Sequence, residues 1–112
     1  MAAQLSSDRL VGIFRDIVVS LVRREDLDLS ARQLGVFLTC YLNEDAHTVR
    51  ALAQDLNVAK PAITRALDRL TELDFVRRKI DPADRRSILV QRTVSGATFL
   101  REMRHIVADA LS

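Results

Sequence analysis

Two short helical patterns near the middle of the chain, separated by Asn57-Val58, constrain the fold more than any other feature of the sequence. The first pattern follows Thr48, whose side chain can cap a helix. The second begins at about Ala59 and carries Pro61 in its first turn, where a helix needs no amide donor. Asn57 suits the left-handed conformation that ends a helix. The sequence therefore predicts two helices joined by a tight turn, a helix-turn-helix.

Apolar residues at helical spacing predict three further helices. One stripe covers residues 10–22 and defines an N-terminal helix. Ser30 and Gln33 resemble a capping box, which predicts a second helix that continues through about Leu42. Near the end of the chain, Ser95 can cap a last helix with its own apolar face.

Two segments rich in β-branched and basic residues, 75–80 and 87–92, lie before this last helix. The sequence Asp81-Pro82-Ala83-Asp84 between them is a good turn, so the two segments predict a β-hairpin. The expected order is four helices, the hairpin and a final helix. With 112 residues and 48% hydrophobic side chains, the chain fits a single domain over residues 1–112. Its fold class is mainly α with a small β-hairpin.

Positive charge is concentrated in the middle of the chain. The whole sequence has 17 Lys and Arg against 15 Asp and Glu, but residues 48–93 contain ten of the cations and six of the acids, an excess of +4. Such a segment could displace counterions from a polyanion such as DNA. It could also be no more than a solvated face, and helical hairpins are common in proteins that do not bind DNA.

The exposed face of the second motif helix favours DNA. A helix that enters the major groove by its N-terminus needs small residues for close approach and side chains that contact bases and phosphates. We expect Arg65 to contact guanine, Thr64 a thymine methyl or a phosphate, and Lys60 a phosphate. Arg69 is equally well explained as a solvated residue or an intrahelical partner of an acid. Removal of the apolar stripe leaves Lys60, Pro61, Ala62, Thr64, Arg65, Asp68, Arg69 and Glu72.

The hairpin supplies a second cationic element. Its first strand carries Arg77, Arg78 and Lys79, and Arg85 and Arg86 are expected at its tip. Five cations in ten residues are too many to pack inward. An arginine at such a tip suits the negative potential of a narrow minor groove.

Thr48–Gly96 resembles the winged helix-turn-helix core of the MarR family of bacterial transcription regulators. The similarity is carried by the run from Thr48 to Leu70 and by the hairpin sequence Asp84-Arg85-Arg86-Ser87, which fits the family's Asp-x-Arg-Ser motif. Val94-Ser95-Gly96 stands where the family usually has Leu-Thr-x-x-Gly. The resemblance is close over a little under half of the chain and loose over most of the rest.

This resemblance implies a sequence-specific regulator that binds a pseudo-palindromic operator in double-stranded DNA as a homodimer. Residues 48–93 would be the DNA-reading core, and helices at 8–24 and 95–111 would form the dimer. Arg86 would enter the minor groove, oriented by a charge-assisted hydrogen bond that its guanidinium donates to Asp84. The DNA-binding residues expected from the exposed face and the resemblance are Thr48, Lys60, Pro61, Ala62, Thr64, Arg65, Arg69, Arg77, Asp84, Arg85 and Arg86.

Three departures from the family pattern stand out. Ala59 replaces a usual capping serine, which removes a side-chain cap of roughly 1 kcal/mol from the recognition helix. Asp74 replaces a common glycine, and Asp is less tolerant of a left-handed backbone. The chain ends about seventeen residues after Ser95, which is short for the family's dimerisation region and suggests a reduced interface.

Other functions find less support in the sequence. No phosphate-cradling glycine loop, nucleophile elbow or paired-histidine motif is present, so we expect neither an enzyme nor a cofactor. His47 and His105 are far apart and are interpreted as surface or helix-end residues rather than zinc ligands. Cys40 is interpreted as a buried thiol rather than a redox sensor, and Tyr41 as a core residue rather than a ligand contact. No residue identifies a small-molecule effector site, although effectors are usual in the family.

Two further expectations concern location and the main alternative. The single cysteine suits a reducing cytoplasm, and the opening Met-Ala-Ala-Gln-Leu lacks the features of a signal peptide. We therefore expect a cytoplasmic protein with no membrane association. The alternative to DNA binding is a winged-helix protein-interaction module that modulates another transcription factor without binding DNA.

Overall fold

The computed structural model describes residues 5–112; the first four residues, on which part of the signal-peptide interpretation rests, lie outside the described range. The described chain is mainly helical with one small antiparallel sheet, as the sequence predicts. Its elements, in chain order, are α1 (Ser7–Val22), α2 (Ala31–Leu42), β1 (His47–Thr48), α3 (Val49–Leu56), α4 (Lys60–Glu72), β2 (Val76–Asp81), β3 (Asp84–Arg92) and α5 (Val94–Leu111).

Local capping chemistry fixes the ends of the central helices. The Ser30 hydroxyl accepts a hydrogen bond from the Gln33 amide, and the Gln33 side chain accepts one from the Ser30 amide, so the expected capping box begins α2. Thr48 caps α3 through the Ala51 amide. Asn57 ends α3 with a left-handed φ of 53°. Ala59 precedes α4 without a side-chain cap, which leaves the first amides of that helix unoccupied by protein side chains.

The start of the last helix differs from the sequence-based expectation. Thr93 rather than Ser95 caps α5, because the Thr93 hydroxyl accepts a hydrogen bond from the Gly96 amide at 2.9 Å. Ser95 lies within the first turn, with its hydroxyl 3.4 Å from a carboxylate oxygen of Asp74. Asp74 has a left-handed φ of 59°, so this position adopts the backbone conformation that favours glycine although it carries a side chain.

The sheet contains one strand more than the sequence predicts. β3 lies between β1 and β2, and Thr48 pairs with Leu89. The hairpin also extends further than expected, since β3 begins at Asp84 and only Pro82-Ala83 lie between the strands. Arg85 and Arg86, which were expected at the hairpin tip, therefore lie in β3 itself. The register shifts between Ile80 and Asp81.

Residues 29–100 form one of two compact units. Its core includes four aromatic rings, those of Phe37, Tyr41, Phe75 and Phe99, whose neighbouring centroids lie 4.5–5.7 Å apart. These aromatic contacts join α2, the segment before β2 and the start of α5. The expectation that Tyr41 is a core residue is confirmed.

Tyr41 also joins these elements by hydrogen bonds. Its hydroxyl donates to the Phe75 carbonyl at 2.7 Å and accepts from the Thr93 amide at 2.9 Å. Gly96 lies against this hydroxyl with no room for a Cβ atom. The base of the hairpin is thus fixed to α2 and α5 at one buried point.

Two other core assignments concern Cys40 and His47. Cys40 is buried, and burial raises the pKa of its thiol to about 11, which agrees with an unreactive structural thiol. His47 is expected to be a surface or helix-end residue, and the first of these alternatives is wrong. His47 is buried in β1, where its Nε2 atom lies 3.2 Å from the Asn43 carbonyl oxygen, because pairing of β1 with β3 draws this segment into the fold.

Among the described residues, the second unit consists of residues 5–28 together with residues 101–112. Within it, Arg9 donates to the Leu111 carbonyl at 3.1 Å, and Arg24 pairs with Glu102 at 2.7 Å. These contacts join opposite ends of the two segments, so α1 runs antiparallel to the end of α5. No helix among residues 5–112 has the length and apolar character needed to cross a membrane.

Candidate nucleic-acid interface

A concave groove of about 230 Å³ lies where α3, α4 and the β2–β3 hairpin meet. Pairing of β1 with β3 explains this meeting, because Thr48 belongs to β1, pairs with β3 and also caps α3. The helix-turn-helix and the hairpin are thereby held in one arrangement. The groove is lined by Thr48, Val49, Arg50, Lys60, Thr64, Asp84, Arg86, Ser87 and Ile88.

Three cations from three elements line the groove: Arg50 from α3, Lys60 from α4 and Arg86 from β3. Neither Arg50 nor Lys60 has an acidic partner within 4.0 Å among residues 5–112. The only acid in the lining is Asp84. The groove lining therefore has an excess of positive charge, which attracts polyanions such as a phosphate backbone.

Asp84 organises the start of β3 in a way that differs from the expectation. Its carboxylate accepts a hydrogen bond from the Arg86 backbone amide at 3.1 Å, while the Arg86 Nε atom lies 3.8 Å away. The contact with the guanidinium is an ion pair, and the hydrogen bond goes to the backbone. The Arg86 side chain is 94% exposed, so its guanidinium donors are available to a ligand.

The exposed face of α4 is narrower than the sequence indicates. Lys60, Pro61, Thr64 and Arg65 are exposed. Placement of Ala62 on this face is wrong, because its exposed fraction is only 8%. The helix packs against α2, α3 and β2, and this three-sided cover buries a wider face than the apolar stripe alone.

Several of the predicted DNA-binding residues lie outside the groove lining, and two of them contact acids. Arg69 pairs with Glu72 at 3.2 Å, which is the intrahelical alternative for that residue. Arg77 lies 3.8 Å from Asp74. Arg85 is exposed near the turn, where it lines a second hollow. Pro61 and Arg65 also lie outside the lining, although both are exposed on α4.

Two arginines of the basic segment have structural contacts. Arg78 of β2 pairs with Asp68 of α4 at 2.7 Å, which connects the hairpin directly to the helix beside the groove. Arg92 of β3 donates to the Cys40 and Asn43 carbonyls at the end of α2, at 3.0 and 2.7 Å. A count of the charged residues in the sequence therefore overstates how many cations are available to a ligand.

Arg50, Ser87 and Ile88 are groove residues that the sequence reasoning did not assign to the interface. Arg50 occupies an exposed position in the first turn of α3, two residues after the capping Thr48. Its position after a helix cap was visible in the sequence. The presence of Arg50 and Arg86 in one groove could not be predicted, because it depends on the pairing of β1 with β3, which are about forty residues apart in the sequence.

A helix-turn-helix followed by a β-hairpin, with cations from both facing one groove, defines a winged helix-turn-helix protein. The β2–β3 hairpin is hereafter called the wing, and α4 the recognition helix. Comparison with known proteins supports the same class at the level of sequence and of structure.

The model of the MarR family matches residues 29–88. An uncharacterised HTH-type transcriptional regulator of Mycobacterium leprae is 34% identical over 102 residues, which cover 91% of this chain and 71% of the relative. An HTH-type transcriptional regulator of Mycobacterium tuberculosis has the same identity and coverage. The chain belongs to the MarR family and is a DNA-binding transcriptional regulator of the winged-helix type.

Solved structures give the same result. A mutant MarR from Escherichia coli complexed with operator DNA has a TM-score of 0.71 and 29% sequence identity, over 93% of this chain and 71% of that one. Another crystal structure of an E. coli MarR mutant gives a TM-score of 0.68 with 27% identity and covers 98% of this chain and 82% of that one.

Proposed function

We propose that this regulator binds a pseudo-palindromic operator in double-stranded DNA as a homodimer, with α4 in the major groove and Arg86 in the minor groove. The observation that carries the proposal is the convergence of Arg50, Lys60 and Arg86, from three different elements, on one exposed groove. Likeness to the E. coli MarR complexed with operator DNA supports the choice of ligand.

The exposed residues of the groove and of α4 suggest a division of roles. Lys60 and Arg50 would contact phosphates, which fix position without sequence information. Thr64 and Arg65 are exposed on the same helix, and they are our candidates for contacts with base edges. Pro61 has no N–H and the Ala62 amide donates to the Ala59 carbonyl at 3.0 Å, so in this turn only the Lys60 amide would add a further attraction for phosphate. Arg86 would respond to minor-groove width.

The wing assignment is tested with Arg86→Ala. We expect operator affinity to fall by roughly one and a half to four orders of magnitude. Each lost specific contact is worth about 1–3 kcal/mol, a homodimer loses two, and about 1.4 kcal/mol corresponds to a factor of ten. Fluorescence anisotropy with a labelled operator, repeated over a range of salt concentrations, measures the affinity and its salt dependence. The slope of log affinity against log salt should also become smaller.

Arg32→Ala is the matched control, because Arg32 is an exposed cation in the same unit but outside the groove lining. It should leave the affinity nearly unchanged. Equal affinities of the wild type, Arg86→Ala and Arg32→Ala would refute the wing assignment. Failure of the wild type to bind any genomic site in footprinting would refute DNA binding as a whole and favour a protein-interaction module.

We further propose that α1 and α5 form the dimer interface. Leu10, Phe14 and Val18 are exposed at intervals of four residues along α1, and Phe14 is 62% exposed. Val22 continues the same stripe and is also exposed. An apolar stripe of this length is costly in water, and a second copy would cover it symmetrically. The two reading heads would then lie about one turn of DNA apart, roughly 34 Å.

Sedimentation velocity at micromolar concentration tests the dimer. The wild type should sediment as a dimer, and the double variant Leu10→Ser/Phe14→Ser should sediment as a monomer with weaker operator binding. Leu42→Ser is the control, because Leu42 is 58% exposed and lies on α2, outside both proposed interface helices. A wild-type monomer at this concentration would refute the proposal.

A further inference from the structure

Two isoleucines of the wing are exposed although they have large apolar side chains. Ile80 of β2 is 61% exposed and Ile88 of β3 is 41% exposed. They are direct partners in the antiparallel register, so their side chains lie next to each other on one face of the hairpin. The wing therefore presents a small apolar surface to solvent.

The position of this isoleucine pair joins it to the cationic groove. Ile88 lines the groove together with Arg86, Lys60 and Thr64. Ile80 lines an adjoining hollow near the turn, with Pro82 and Arg85. The register shift between Ile80 and Asp81 lies at the same place, and such irregularities redirect side chains at the ends of strands.

Cations lie beside both isoleucines. Lys60 and Arg86 line the groove with Ile88, and Arg85 lines the hollow with Ile80. One acid lies in each place, Asp84 in the groove and Asp81 in the hollow. A surface that is apolar in the middle and cationic at its margins matches the wall of a DNA groove, where the sugars are apolar and the phosphates on either side are negative. A protein partner with a simple apolar site would not need the excess of cations over acids in the groove lining.

We propose that Ile80 and Ile88 contact the deoxyribose wall of the minor groove beside Arg86. This inference rests on the proposed placement of the wing on DNA and extends it. Arg86 supplies the electrostatic part of the wing contact. The isoleucine pair supplies an apolar part that does not depend on salt concentration. Neutral side chains release no condensed counterions when they bind, so the two parts differ in a measurable way.

Paired substitutions separate apolarity from shape. Thr and Val have nearly the same shape, and both are β-branched residues that suit a strand. We expect Ile80→Val/Ile88→Val to bind the operator within about threefold of the wild type. Ile80→Thr/Ile88→Thr should bind about tenfold more weakly, which corresponds to about 1.4 kcal/mol. The salt slope of both variants should equal that of the wild type.

The following results would overturn the inference. Equal affinity of the Thr and Val pairs would show that the wing makes no apolar contact with DNA. A smaller salt slope for the Thr pair, like that expected for Arg86→Ala, would show that the pair only holds the wing in position. A change in sedimentation would assign it to a protein interface. If Arg86→Ala weakens operator binding and Ile80→Thr/Ile88→Thr does not, only this inference fails. If neither variant weakens operator binding, the proposed placement of the wing on DNA fails.

Discussion

The contact between Gly96 and Tyr41 gives a sharp prediction for stability. Gly96 lies in the first turn of α5, and a Cβ atom there would overlap the Tyr41 hydroxyl and the Phe75 carbonyl oxygen. Both atoms belong to the hydrogen bonds that hold the base of the wing. We therefore expect Gly96→Ala to displace the Tyr41 ring.

The size of the effect follows from the groups that lose their partners. Displacement of the hydroxyl leaves the buried Thr93 amide without its acceptor and the Phe75 carbonyl without its donor. An unsatisfied buried polar group costs about 1–3 kcal/mol. The better helix propensity of alanine returns about 1 kcal/mol. The free energy of unfolding should therefore fall by about 3 kcal/mol.

Urea denaturation followed by circular dichroism measures this change. Gly35→Ala is the matched control, because Gly35 lies inside α2 and a Cβ atom there would have no neighbour within 4 Å. This control should raise the free energy of unfolding by up to about 1 kcal/mol. A value for Gly96→Ala within about 0.5 kcal/mol of the wild type, which is usual for neutral surface substitutions, would refute the reasoning. In a Tyr41→Phe background, where the hydroxyl is already absent, Gly96→Ala should cost less.

Three further predictions concern other parts of the 29–100 unit. Asp74→Gly should raise the free energy of unfolding by up to about 1 kcal/mol in urea denaturation, because glycine adopts the φ of 59° without strain; no gain would contradict this. Asp68→Asn removes the acidic partner of Arg78. Operator affinity in an anisotropy titration should then fall several-fold, while the free energy of unfolding should change by less than about 1 kcal/mol. Unchanged affinity would show that the ion pair does not position the wing. Because burial raises the pKa of Cys40 to about 11, a thiol reagent at pH 8 should react with the folded protein much more slowly than with the unfolded one. The unfolded thiol ionises near 9.0, so this group should also lower stability as pH rises from about 9 to 11; rapid labelling of the folded protein would contradict both statements.

Features set by nearby residues could be predicted from the sequence. The capping box of Ser30 and Gln33, the cap at Thr48 and the left-handed Asn57 each depend on contacts within four residues. The sequence therefore specifies where α2 and α3 begin and where the turn before α4 lies. The same holds for the absence of a side-chain cap at Ala59.

Features that depend on distant pairing could not be predicted in the same way. β1 is a strand of two residues that exists only because it pairs with β3. Burial of His47 and the approach of Arg50 to Arg86 both follow from this pairing. Ala62 was misplaced for a related reason, since a stripe on a single helix does not reveal how many elements cover it. Arg92 could not be separated from the ligand-facing cations without the position of the end of α2.

The placement of Tyr41 also has a spectroscopic consequence. The chain contains one tyrosine and no tryptophan, so almost all of its near-ultraviolet emission comes from this single residue. The ring stacks on Phe37, and the Arg92 guanidinium carbon lies 5.6 Å from its centroid. The intrinsic fluorescence of the unlabelled protein is therefore a site-specific report from the base of the wing, and any rearrangement there on operator binding would register without an added dye.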